Sequence, residues 1–306
     1  MSMRDTIAAA RGKWPDILRR YGLDEKFLKN RHGPCPLCGG KDRYRFDDKD
    51  GSGSYFCQGC GAGFGFQLLA RFTNRPQADL VQEVGGMVGG IEAKDWSRAA
   101  PDPRKRLTWI GRRLVFASKC PAVRAYLAGR GLKPTKHLFA IPALRYYEEA
   151  KVAGDFPAMV APFVSPAGKL VTYHLTYIQD GRKAPVACPR KVLPPLGTMD
   201  GGAIRLTKVY PALGIAEGVE TALAVMRDFG VPCWAAASAG MLEKFVPPEG
   251  VQAVTVYGDH DASFTGQRAA YALARRLKAL GVEVGVKIPE TEGDFADLVP
   301  TSTQKA

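Results

Sequence analysis

Ala212-Leu213-Gly214-Ile215-Ala216-Glu217-Gly218 and, further on, Ala253-Val254-Thr255-Val256-Tyr257-Gly258-Asp259-His260-Asp261 are the stretches that decide the fold. In each, a short apolar run stops at an acidic residue beside a glycine. The runs predict strands over Leu213–Ala216 and Ala253–Tyr257, with Glu217, Asp259 and Asp261 at their carboxyl ends. Two more strands are expected over Cys233–Ala236 and Val282–Ile288, and helices over Val219–Phe229, Met241–Phe245 and Thr265–Leu280. In the last helix Ala269, Ala270, Leu273, Leu277 and Leu280 share one face. This strand–helix alternation predicts a Rossmann-like parallel sheet with its site at the carboxyl edge.

Asp259 and Asp261, two apart at an extended strand end, are expected to point at one site that Glu217 reaches from a neighbouring strand. Like charges a few ångströms apart repel by roughly 4 kcal/mol at an effective dielectric near 20. A divalent cation relieves that repulsion, and hard oxygen ligands select Mg2+ or Mn2+. Gly218 and Gly258 are read as leaving room for the backbone to turn beside it. Glu292, Asp294 and Asp297 follow the last strand at the same edge.

At the other end of the chain stands Cys35-x2-Cys38-x18-Cys57-x2-Cys60. Two paired CxxC units supply four thiolates from two tight turns, which is the ligand set of a structural zinc ribbon. Iron in a rubredoxin-like site and a redox dithiol are the alternatives. His32 precedes the first knuckle and is read as a surface residue, because four cysteines complete the shell. Cys120, Cys188 and Cys233 have no paired spacing and read as ordinary buried thiols. Between the knuckles, two short strands carry aromatic residues interleaved with cations. Arg43, Tyr44, Arg45 and Tyr55 are candidate contacts to single-stranded nucleic acid. Phe46 and Phe56 are assigned to the ribbon's small core.

The 306 residues carry 43 Lys+Arg against 30 Asp+Glu, a net charge of +13. The excess lies in front: residues 1–204 hold 33 basic and 18 acidic residues, residues 205–306 only 10 and 12. Such asymmetry points to a polyanionic partner held by the front half. No apolar run approaches the ~18 residues of a membrane helix. Met1-Ser2-Met3-Arg4-Asp5 has no apolar signal core, so a cytoplasmic location is expected.

The middle is read more coarsely. Helices are expected over Trp14–Tyr21, Phe66–Phe72, Ala78–Val84 and Ala122–Ala128, with Gly85-Gly86 breaking the third. Ala99-Ala100-Pro101-Asp102-Pro103-Arg104-Lys105-Arg106 reads as a linker. Its cations, with Arg112 and Arg113, are open to two readings: a phosphate track or solvated charge. An α+β region follows, with strands over Ala158–Val164 and Lys169–Ile178 and further cations at Arg182, Lys183, Arg190 and Lys191. His174 is read as a satisfied sheet residue.

The glutamate–glycine strand end followed by Asp-x-Asp resembles the Toprim domain shared by bacterial-type primases, topoisomerases and some nucleases. Glu217, Asp259 and Asp261 match that family's acids, and Asp294 and Asp297 look like the later acidic positions of its primase branch. One position departs: Thr221 stands where cellular primases usually carry aspartate. Pro34-Cys35-Pro36-Leu37-Cys38-Gly39-Gly40 and the residues after it resemble the zinc-binding domain of phage primase-helicases. Met159 to Leu206 looks like the basic subdomain that precedes Toprim in primases. The form of the glutamate motif is similar to Toprim proteins of phages, plasmids and integrated elements.

The expected organisation is a zinc-ribbon DNA-binding domain over 1–75, a helical and basic linker region over 76–120, a basic α+β subdomain over 121–206 and a Toprim domain over 207–306. The resemblance implies a DNA primase that builds short RNA primers on single-stranded DNA from nucleoside triphosphates, in a bacterial cell, with a separate replicative helicase as partner. Glu217, Asp259 and Asp261 are its catalytic and metal-binding candidates, joined by Asp294 and Asp297 as further metal ligands. Lys191, Arg190 and Arg205 are candidates for triphosphate or template contacts. The rivals are a Toprim nuclease using water as nucleophile and a non-catalytic zinc-ribbon protein that binds single strands. A topoisomerase would need a strand-gating domain with its tyrosine, and the chain is too short for one.

Overall fold

The computed structural model describes residues 2–93, 102–148 and 151–297. They fall into two compact units, Met1–Pro101 and Asp102–Ala306. The first unit opens with α1 (Met3–Ala9), started by a capping box in which Ser2 and Asp5 exchange hydrogen bonds. Helix α2 (Trp14–Arg20) carries Pro15 in its first turn. The ribbon follows as four antiparallel strands in sequence order: β1 (Gly33–Cys35), β2 (Gly39–Phe46), β3 (Tyr55–Cys57) and β4 (Gly61–Gly63). Helices α3 (Gly65–Thr73) and α4 (Gln77–Met87) close the unit.

Its core runs from ribbon to helices without a break. Tyr44, Phe46, Tyr55 and Cys57 are buried together with Trp14, Ile17, Leu18, Leu68, Leu69, Leu80 and Val84. Trp14 lies against Gly53 and Gly65: a Cβ on Gly65 would stand 2.0 Å from the indole ring. The ribbon is therefore braced by apolar packing as well as by its cysteines. Because Leu80, Val81 and Val84 belong to this core, α4 sits in the first unit, and the region drawn as 76–120 is divided between the two units.

The second unit begins with α5 (Pro103–Gly111), β5 (Val115–Phe116) and α6 (Pro121–Ala128). Then come the long strands β6 (Phe139–Glu148), β7 (Lys151–Val164) and β8 (Leu170–Gln179), and the short β9 (Arg182–Lys183), β10 (Arg190–Val192) and β11 (Ala203–Ile204). The final third alternates: β12 (Ala212–Ala216), α7 (Val219–Phe229), β13 (Cys233–Ala235), α8 (Ala239–Lys244), β14 (Ala253–Tyr257), α9 (Thr265–Ala279) and β15 (Glu283–Lys287). One 11-stranded sheet holds these strands, with β10-β8-β7-β11-β13-β12-β14-β15 as its main path. Strands β12 to β15 pair in parallel and β6, β7, β8 and β10 antiparallel. Two-residue β11 joins the halves, pairing antiparallel with β7 on one side and β13 on the other.

The parallel half follows the apolar pattern to within a residue or two at each element. Three expectations change in the front half. Helix α4 runs through Gly85 and Gly86 to Met87, since its Leu80–Val84 stripe is already anchored in the core. Arg104, Lys105 and Arg106, read as linker, lie in α5, where Asp102 caps the first turn by accepting from the Arg104 N–H at 2.9 Å; Ala99, Ala100 and Pro101 fall outside the described residues. Strand β6 was not expected, because Pro142 interrupts its run; the register shifts between Ile141 and Leu144, and this irregularity accommodates the ring.

Candidate functional site

The cysteine tetrad is assembled by the turns between β1 and β2 and between β3 and β4. Cys35 and Cys60 place their sulfurs 3.8 Å apart, and Cys38 and Cys57 3.7 Å. An ion with four sulfurs at ~2.3 Å in a tetrahedron requires edges of about 3.8 Å, so the tetrad has the size of a zinc site. Bonds from Cys57 and Cys60, with the Leu37 N–H, hold the Cys35 thiol far below its ordinary range, at about 2. Those same bonds push Cys57 and Cys60 upward.

The ribbon's expected nucleic-acid contacts change. Tyr44 and Tyr55 are 1% and 2% exposed, so neither ring is available to a base. Their rings stand 5.9 Å apart inside the core, and the Tyr55 hydroxyl accepts from Arg71 at 3.1 Å. The pleat explains this: Tyr44, Phe46, Tyr55 and Cys57 share the inward face of β2 and β3, while Phe56, assigned to the core, is only half-buried. Arg43 lies across the knuckles, since Cβ atoms on Gly40 and Gly59 would stand 2.3 and 3.1 Å from its side chain. Arg45 pairs with Asp47 at 3.4 Å. His32 is half-buried beside the Asp42 carbonyl at 3.2 Å.

In the second unit the acids gather at the carboxyl edge of the parallel strands. Strands β12 and β14 are neighbours, so Glu217 and Asp259 emerge side by side. The loop after β15 is clipped to the Asp259–Asp261 loop by paired backbone bonds: His260 N–H donates to Gly293 at 2.9 Å and Gly293 N–H to His260 at 3.0 Å. This clip carries Asp294 to Asp259. Burial, then the charges of Glu217, Asp294 and Asp261, push the Asp259 carboxyl up to about 9, while Arg190 pulls it down. Its Oδ1 is buried with no hydrogen-bond partner among the described residues. Asp294 is also raised, chiefly by burial. Asp261 turns one oxygen to α9, accepting from the Gly266 N–H at 2.8 Å. Asp297 is exposed and adds its charge to Asp294.

Among the described residues, only the four cysteines form a group of three or more ligand side chains with donor atoms all within 4.8 Å of one another. The acids share one neighbourhood without closing on a point. An orphaned carboxylate oxygen among like charges is nevertheless the donor chemistry that fits a hard divalent cation. Gly258 does not serve as clearance for such an ion. A Cβ there would meet Ile288 at 2.6 Å and Ala270 at 2.7 Å, so its role is packing against α9 and β15.

Opposite the acids stand cations. Arg190 is exposed, and its charge acts on both Asp259 and the buried Glu220. Lys183 is half-buried and lowered, first by burial and then by Arg190, while Glu220 and Asp294 support its charge. Burial favours protonation of Glu220. Arg190, Lys183 and a 2.7 Å hydrogen bond from Tyr126 outweigh it and hold the carboxyl below its ordinary value. Sequence reasoning assigned no role to Lys183, Glu220 or Tyr126; a carboxylate in the first turn of a helix buried throughout Val219–Val225 was the available signal. Thr221, in place of the expected aspartate, is buried with its hydroxyl turned toward Gly218. Lys191 and Arg205 are committed elsewhere. Lys191 Nζ sits 3.5 Å over the Tyr146 ring and donates to Tyr147 O at 3.0 Å. Arg205 stacks on Trp234 at 4.8 Å and donates to the carbonyls of Ser165 and Pro166.

Residues 212–304 match the Toprim domain family, and residues 30–66 match the zinc-binding domain of primase-helicase. Residues 111–206 match a family described as a domain of unknown function. Solved structures that resemble the chain include the zinc-binding and RNA polymerase domains of Aquifex aeolicus primase (17% identity, 97% of this chain and 82% of that one, TM-score 0.41). The primase fragment of the bacteriophage T7 primase-helicase protein is 15% identical over 87% of this chain and 93% of that one, with a TM-score of 0.38. A DNA primase domain from Pseudomonas aeruginosa is 16% identical over 65% and 75%, with a TM-score of 0.43. Among the described residues no helix is long and apolar enough to cross a membrane.

Proposed function

We propose that this chain, in which a zinc-binding domain of the primase-helicase type precedes a Toprim domain, is a DNA primase that joins nucleotides on a single-stranded template. The observation that carries the reading is Asp259: half-buried, its Oδ1 shut from solvent with no hydrogen-bond partner among the described residues, set among Glu217, Asp261 and Asp294 and faced by Arg190. Acids opposite cations suit a triphosphate, whose charge must be neutralised from both sides.

Glu217, Asp259, Asp261 and Asp294 would hold divalent cations, Mg2+ or Mn2+, with Asp297 behind Asp294. Such ions, when bound, lower the pKa of the attacking hydroxyl and neutralise charge on the leaving pyrophosphate. Glu217 accepts the proton of the 3′-hydroxyl. The 3′ oxygen bonds to the α-phosphorus of the incoming nucleotide, and the bond from that phosphorus to the β-bridging oxygen breaks. Arg190 and Lys183 hold the phosphates during the displacement, while Lys191 and Arg205 support the sheet that carries them. The tetrad would bind structural zinc and present the ribbon to template or nascent product. A separate replicative helicase and a cytoplasmic setting belong to the same reading.

Incubation with single-stranded DNA, ribonucleotides and Mg2+ tests the proposal. Short RNA is expected, and Glu217→Gln and Asp259→Asn are each expected to lower its yield at least about 100-fold. Shortened DNA would instead identify a nuclease working through the same carboxylates. Binding without either product would leave a single-strand binding protein.

A further inference from the structure

Helix α5 presents a second cationic surface within the second unit. Its inner face is spoken for: Leu107 and Ile110 are buried against Ile141, Leu144, Tyr146 and Tyr177 of the antiparallel half. Outward it shows Arg104, Lys105, Thr108, Trp109, Arg112 and Arg113, which line an open hollow of about 530 Å³. The helix contains no acidic residue, and among the described residues none of its five neighbouring cations, Arg104, Lys105, Arg106, Arg112 and Arg113, makes an ion pair with a carboxylate. Five unpaired cations on so short a segment repel one another, an arrangement that a polyanion relieves.

The arginines are also ordered. Arg106 and Arg113 place their guanidinium carbons 4.6 and 3.9 Å from the Trp109 ring centre. Arg113 is further fixed by donating to the Trp109 carbonyl at 3.2 Å. Stacking on indole holds a guanidinium flat and leaves N–H edges free for phosphate oxygens. It also presents planar cationic faces on which unpaired bases stack, as duplexed bases cannot. The surface continues toward the acids. Arg106 acts electrostatically on Tyr177; Lys191 sits over Tyr146 and Tyr177; adjacent Arg190 acts on Asp259.

We infer that the outer face of α5, centred on the Arg106–Trp109–Arg113 stack, binds single-stranded nucleic acid and directs it toward the acidic centre. The identity of that strand as template rests on the primase reading; the binding surface does not.

The test is anisotropy of a labelled oligothymidylate titrated with the full chain at several salt concentrations. Arg104→Ser, Lys105→Ser and Arg112→Ser are combined, all three residues being exposed and outside the stack. Affinity is expected to fall at least about tenfold, and the salt slope to flatten by roughly 2, at about 0.7 per lost phosphate contact. Trp109→Leu with the cations intact is expected to weaken binding and leave the slope unchanged. Unaltered melting curves establish that each variant is folded. Unchanged affinity and slope in the triple variant overturn the inference, as does equal affinity for a matched duplex or equal competition by polyglutamate. RNA synthesis by the unaltered chain is scored separately. Synthesis with α5-independent binding keeps the primase and loses the surface; α5-dependent binding without synthesis keeps the surface and loses the primase.

Discussion

Asp259 stands in the fold at a cost. A carboxyl whose folded pKa lies above its unfolded value takes up a proton on folding, so it favours the native state less as pH rises from 3.8 toward 9. In chelator at neutral pH, Asp259→Asn is expected to raise the melting temperature by about 2–4 °C, the shift that ~1 kcal/mol gives a unit of this size. Mn2+ should stabilise the unaltered chain and leave the variant where it is; calorimetry with and without the ion reads both. His174 works in the opposite sense. Burial lowers its pKa to about 4, with Arg190 and Lys183 adding to the drop and Glu220 opposing it. The unfolded chain therefore binds a proton that the fold refuses between pH 6.5 and 4, and stability falls as pH falls through that window. His174→Gln is expected to recover roughly 1–3 kcal/mol at its acid end; parallel denaturant titrations at pH 4.5 and 7.5 measure it. Residue types at strand ends revealed Glu217 and Asp259. The partners Lys183 and Tyr126 come from distant positions joined only by pairing of the sheet and packing of α6, which no local pattern encodes.

Among the elements, α9 begins where the acids end. Gly266 allows its first turn to approach Asp259: a Cβ there would stand 2.5 Å from the Asp259 carbonyl oxygen and 3.0 Å from its Cβ. Gly266→Ala is expected to displace the acidic loop and lower RNA synthesis about tenfold or more while helix content stays constant, a comparison of primer yield with circular dichroism. Strands β12, β13 and β14 were legible as short apolar runs, and glycine and acid mark the ends of β12 and β14. Helix α5 was not. Pro101-Asp102-Pro103 has the look of a linker, although aspartate before proline is also a helix start, and the stripe of Leu107 and Ile110 is too brief to decide. Tyr44 and Tyr55 misled for a related reason: aromatic–cation interleaving is the same string whether the rings face solvent or the core, and only the register of β2 with β3 settles the side.

For the molecule as a whole, two units with separate cores imply separable unfolding. The first has ligand chemistry and an apolar core acting together. Cys57→Ser is expected to lower its transition by roughly 10 °C or more without shifting that of Asp102–Ala306. Calorimetry that resolves the transitions checks this, and a single transition moving as one would refute it. The division of charge along the chain was legible from counting residues. The continuity of the large sheet was not, because it depends on Ala203 and Ile204, a pair too short to read as a strand.

That pair has a mechanical meaning. By stitching β7 to β13 it turns two halves that could have swung on a hinge into a single plate, with Arg190 riding on one part and Glu217 on the other. On the primase reading proposed above, the span between phosphate grip and proton acceptor is thus a fixed calliper. On that reading, bases of different size would be accommodated by side chains and loops, and the gap itself would gauge the sugar-phosphate unit that all nucleotides share.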